Sequence, residues 1–81
     1  MGDNVELLMA AGKALYGQRW QSPIARDLET TDRTVRNWLT RAHPIPEHVP
    51  VRLVALLRKR KMEIDAVLEQ IGMRVKESRS T

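Results

Sequence analysis

The sequence contains no cysteine among its 81 residues. That excludes a disulfide framework and any thiolate metal site. Histidine occurs only at His43 and His48, too few and too isolated to argue for a metal centre. Long hydrophobic runs are missing as well; none exceeds a few residues, so no segment could span a bilayer. The opening MGDNVELLMA is acidic and lacks the basic stretch of a secretory signal. Strand-like alternation, internal repeats and low-complexity tracts are absent. No Ser–His–Asp order, carboxylate pair in an expected cleft or phosphate-cradling glycine loop is visible, so catalysis is not expected. No cofactor or small-molecule ligand is expected either, since no separate sensor domain is present.

What remains is a globular composition, 42% hydrophobic and 30% charged. Its length allows one domain with one modest core. Fourteen Lys and Arg against ten Asp and Glu leave a net charge of +4 and a pI near 10.1. Such a balance favours polyanionic partners, because each neutralised phosphate releases condensed counterions. It sets a direction only.

Helical periodicity organises the chain. Asp3 and Glu6 have capping-box spacing at the start of a first helix. Val5, Leu8, Ala11 and Leu15 make its apolar face, and Gly17 stands where a left-handed C-cap belongs. A short second helix is expected from Pro23 to about Glu29, with Ser22 as N-cap. Ile24, Ala25 and Leu28 face inward. A third helix is expected over residues 31–41, capped by Thr31 and helped by Asp32 at the positive end of its dipole. Val35, Trp38 and Leu39 form its apolar stripe. Trp38 and Trp20 read as core plates rather than base-stacking platforms.

Three prolines in HPIPEHVP mark a linker. A single turn at 46–49 and a helix from Pro50 should follow, with Leu53, Leu57, Ile64, Leu68 and Ile71 at helical spacing up to Gly72. Arg58, Lys59, Arg60 and Lys61 interrupt that stripe, because four consecutive residues cover most of a helix circumference. Either one stem snorkels outward or the helix breaks, and two helices, 50–60 and 62–71, are favoured. The run itself reads as a solvated charge surface. Residues 73–81 read as a disordered basic tail.

The segment QSPIARDLETTDRTVRNWLT, residues 21–40, fits a helix-turn-helix frame. Ala25 is small where two helix backbones approach, and Leu28, Thr30, Val35 and Trp38 occupy the packing positions. The outward side of the third helix carries Arg33, Arg36, Asn37, Thr40 and Arg41. Arginine pairs bidentately with guanine and asparagine with adenine, each worth ~1–3 kcal/mol of discrimination. Asp32 could accept from cytosine, although a role at the helix start is the simpler account.

LYGQRWQSPIARDL, TTDRTVRNWL, HPIPEH and LVALLRKR together resemble the phage repressor and Cro-type helix-turn-helix family of small bacterial transcription regulators. The resemblance runs from about Leu15 to Leu57. It implies a compact all-α domain of four to five helices, here residues 1–72, that binds double-stranded DNA, commonly as a dimer. It further implies a cytoplasmic, bacterial or phage-encoded setting. Arg33, Arg36 and Asn37 would face the major groove, with Thr31 and Thr40 at the margins. Arg19, Gln21, Ser22 and Arg41 would meet phosphate; backbone donors at a helix N-terminus favour that anion independently. One position departs from the family. Glu29 stands where glycine is usual, and a positive φ there would cost a side chain on the order of 1 kcal/mol. The expected function is a sequence-specific transcriptional regulator, a homodimer with residues 51–71 as the expected dimer surface. The alternatives are an antitoxin or recombination accessory protein with the same fold, or a helical protein-interaction module.

Overall fold

A computed structural model describes the backbone of residues 3–79 and the side chains of residues 3–76. Among the described residues the chain is all-α, with four α-helices, one 3-10 turn and no strand. Helix α1 spans Asn4–Tyr16. Asp3 starts it by accepting the Glu6 backbone N–H at 2.9 Å, as its spacing predicts. Leu8, Ala11, Gly12 and Leu15 form the buried face. The helix stops at Gly17, whose φ of 77° and ψ of −150° suit a residue without a Cβ. A 3-10 turn over Gly17–Arg19 then delivers Trp20 into the core.

Helix α2 spans Gln21–Asp27, which corrects the expected Pro23 start and Glu29 end. Trp20, not Ser22, is the N-cap residue, and no side chain caps this end. Pro23 is tolerated because it still lies in the first turn, where an N–H has no intrahelical partner. Two backbone bonds close the other end, Glu29 N–H to Arg26 O at 3.0 Å and Thr30 N–H to Ala25 O at 2.8 Å. That is a Schellman closure, which requires a left-handed residue at its centre. Glu29 supplies it with a φ of 57°.

Helix α3 spans Asp32–Leu39, two residues shorter than expected at its C-terminal end. The Thr31 hydroxyl caps it, accepting the Thr34 N–H at 3.1 Å. Val35 and Trp38 bury its inner face while Leu39 is half-buried. Arg41 lies beyond the helix, at a φ of 63°.

Helix α4 is a single helix over His48–Arg79. This overturns the expected break near Lys61, the Pro50 start and the stop at Gly72. Pro50 sits in the first turn and so removes no intrahelical bond. Within the basic run Arg60 lays its guanidinium over the Tyr16 ring, 5.5 Å from the centroid, while Arg58, Lys59 and Lys61 stay exposed, so the run passes without a break. Gly72 costs about 1 kcal/mol relative to alanine but deletes no backbone bond, so the helix continues through it. Helix, not a disordered tail, therefore covers residues 73–79, while residues 80–81 lie outside the described region.

Leu8, Ile24, Val35 and Val49, one from each helix, are completely buried, with Leu15, Trp20, Trp38 and Leu53 around them. Both tryptophans are thus core residues. Gly12 is packed so closely on Trp20 that a Cβ there would lie 2.2 Å from the indole Cε3. The distal half of α4 leaves this body, and the molecule measures 60 × 23 × 19 Å. Among the described residues, no helix is long and apolar enough to cross a membrane.

Candidate nucleic-acid interface

The residues expected to read bases share one side of α3. At ~100° per residue, Arg33, Arg36, Asn37 and Thr40 fall within about 100° of each other, opposite Val35, Trp38 and Leu39. Arg33, Arg36 and Thr40 are exposed and Asn37 is half-buried. Burial of Val35 and Trp38 fixes the rotation of the helix, so the core itself decides which residues face outward. Among the described residues neither Arg33 nor Arg36 has a hydrogen-bond or ion-pair partner. Both guanidiniums therefore keep all their donors for an external acceptor.

The marginal hydroxyls are already occupied. Thr31 Oγ1 caps α3 and lies 3.0 Å from Thr34 Oγ1. Thr40 Oγ1 donates to the Asn37 carbonyl at 3.3 Å. These bonds define the ends of the helix and leave the two arginines and Asn37 as its unengaged polar groups.

Of the residues expected to meet phosphate, Arg19 and Ser22 are exposed and Gln21 is half-buried at the start of α2. Ser22 adjoins α3, its hydroxyl donating to Asp32 Oδ2 at 2.6 Å. This bond ties the first turns of the two helices together and gives Asp32 an acceptor role beside its place at the helix start. Sequence reading misses it because the partners sit on different helices, with no local spacing to signal the pair.

Arg41 does not share the α3 face. It leaves the helix in a left-handed conformation and pairs with Asp3 at the start of α1. The pair ties the two chain segments together at the surface, where the Arg41 side chain stays largely exposed. The Glu6 backbone N–H and then the Arg41 guanidinium hold the Asp3 carboxyl below its ordinary range. The same pairing holds Arg41 more firmly charged.

A second polar contact lies behind the helix pair. The Tyr16 hydroxyl donates to Asp27 Oδ2, which pushes the phenol pKa up, with burial adding to the shift. Arg52 of α4 donates to the Asp27 carbonyl at 2.6 Å. Asp27, the last residue of α2, is thus held by α1 and α4 together.

No family model matches the chain, and no curated protein or solved structure matches it.

Proposed function

We propose that the protein is a sequence-specific double-stranded DNA-binding regulator, with α3 entering the major groove. The observation that carries this reading is the α3 surface, where two unpartnered arginines and an asparagine stand on one side of a helix locked by its opposite side. In this reading Arg33, Arg36 and Asn37 meet base edges. Arg19 and Gln21 meet phosphate through their side chains and Ser22 through its backbone N–H in the first turn of α2, its hydroxyl being held by Asp32, and together they set the register. The net charge of +4 supports association with a polyanion. The motif resemblance to the repressor and Cro-type regulators supports the same role, in a cytoplasmic setting and without catalysis. Two copies reading two half-sites about one helical turn apart would complete it.

Selection from a random duplex library tests the proposal; palindromic sites with fixed half-site spacing are expected. Arg36→Ala should then relax base preference at one position. Arg19→Ala or Gln21→Ala should weaken all sequences alike. Equal losses on every sequence for Arg36→Ala would remove it as a base reader, and no enrichment at all would sink the proposal.

The antitoxin reading keeps the same DNA-binding fold but assigns the distal part of α4 to a different protein. The exposed Ile64, Leu68, Ile71 and Val75 favour it over a module that binds through α3 alone.

A further inference from the structure

The distal half of α4 carries an apolar seam that nothing in the body covers. Ile64, Leu68, Ile71 and Val75 are each about half exposed, at 50%, 60%, 56% and 45%. Their steps of four, three and four continue back through Lys61 to Leu57 and Val54. This is the alternation of a coiled-coil seam over three heptads, with Val54, Lys61, Leu68 and Val75 in one column and Leu57, Ile64 and Ile71 in the other. At its proximal end the seam opens into an apolar groove of about 140 Å³, lined by Leu7, Ala11, Pro50, Leu53, Val54 and Leu57. Leu7 and Val54 remain half exposed there, at 50% and 49%.

Charge distinguishes the possible occupants. A basic block, Arg58 to Lys61, is followed by an acidic one containing Glu63, Asp65 and Glu69. Two copies side by side in parallel would set Lys61 against Lys61 and run basic block along basic block, with only Arg60 reaching Asp65. Antiparallel copies with Val54 opposite Ile71, Leu57 opposite Leu68 and Lys61 opposite Ile64 lay each basic block along the other's acidic block. Arg58 then flanks Asp65 of the second copy, the position at which charges set helix orientation. Moving this register by one heptad would place Asp65 against Asp65 and Arg60 beside Arg74. The favoured register also seats the distal apolar residues of each copy on the other's groove by Leu7.

We propose that α4 pairs with α4 of a second copy of this chain as an antiparallel two-helix seam in that register. Points level with Pro50 on the two copies then lie about 38 Å apart along the pair, at 1.5 Å per residue. That separation is close to the ~34–36 Å between half-sites one DNA turn apart. The match to DNA rests on the duplex-reading proposal; the assembly does not.

The absence of cysteine makes the register directly measurable. Val54→Cys and Ile71→Cys both replace exposed residues, so folding should survive, as far-UV circular dichroism will show. Oxidising a mixture of the two variants, without DNA, should give a disulfide-linked dimer, whereas neither variant alone should cross-link. A disulfide in Ile71→Cys alone, which a parallel pair gives, overturns the proposal. So does the absence of any cross-link in the mixture. Wild-type chain should sediment at twice 9.3 kDa, and Ile71→Glu should return it to the single-chain mass with helicity retained. A wild-type chain that sediments as a monomer at high micromolar concentration assigns the seam to another protein and overturns self-pairing. Because these measurements contain no DNA, their outcome is independent of the library selection.

Discussion

The two halves of α4 carry the same apolar spacing and meet opposite fates. In the proximal half Val49 and Leu53 are 0% and 4% exposed, while in the distal half Leu68 is 60% exposed. Their side chains are chemically equivalent, and both segments are helical. The difference lies in what stands opposite: α1 and the α2–α3 unit cover the first half, and no part of the described chain reaches the second. Periodicity thus identifies a face with apolar surface to bury, but says nothing about which surface buries it. The same comparison separates a residue that stabilises the fold from one available for assembly.

Substitution can break that comparison most directly at paired leucines. Leu53→Ala should destabilise the protein by about 3 kcal/mol, from lost burial plus the cavity left behind. Leu68→Ala should change stability by no more than about 0.5 kcal/mol in dilute solution, where α4 is unpaired. Chemical denaturation at two protein concentrations checks both, and a Leu68→Ala penalty should emerge only at the higher one. A large dilute-solution loss at Leu68 would show that the body covers the seam after all. Gly12→Ala comes next. An alanine would gain helix propensity but drive a methyl into the Trp20 indole, for a net loss of about 2 kcal/mol in a thermal melt.

Glu29→Gly should act in the opposite direction. Relief of the left-handed conformation at a φ of 57° should stabilise by about 1 kcal/mol, raising Tm by roughly 4–8 °C in a domain of this size. The preferred DNA site should not change, because the residue lies in the turn and off the α3 face. A lower Tm would count against strain at this position. The smallest effect is expected at Asp3, which is exposed. Its pKa is lowered in the folded chain, so its contribution is present above the ordinary carboxylate pKa and is lost as acid titrates it through the folded value. Asp3→Asn should flatten that part of the acid stability curve below about pH 4, and an unchanged curve would deny the Asp3–Arg41 tie any role in stability.

Much of the fold is legible in the residues. The Asp3 and Thr31 caps, the inward faces of α1 and α3 and the core placement of Trp20 and Trp38 all follow from local rules of spacing and capping, while the positive φ at Glu29 is implied only by the resemblance to a family with glycine there. The α3 surface is equally local, since burial of Val35 and Trp38 on one side leaves Arg33, Arg36 and Asn37 on the other. Errors cluster where local rules compete. Ser22 is a better N-cap by type than Trp20, yet its hydroxyl is taken by Asp32 from another helix. The basic run at 58–61 implies a break, yet Tyr16 offers Arg60 an aromatic face and the other three side chains stay exposed. Gly12 carries no signal in the sequence, because its need for small size comes from the Trp20 indole packed on it.

The sequence by itself determined an all-helical chain, the position of the helix-turn-helix frame and the outward set of polar residues on its third helix. Each depends on contacts within one or two turns, where spacing and residue type suffice. Only the tertiary structure decided that α4 is continuous, that Arg41 turns back to Asp3, and that Asp27 is clasped by Tyr16 and Arg52. It also decided which half of the α4 seam the body covers. Those outcomes depend on groups far apart in the chain being brought within a few ångströms, and only the folded core sets such distances.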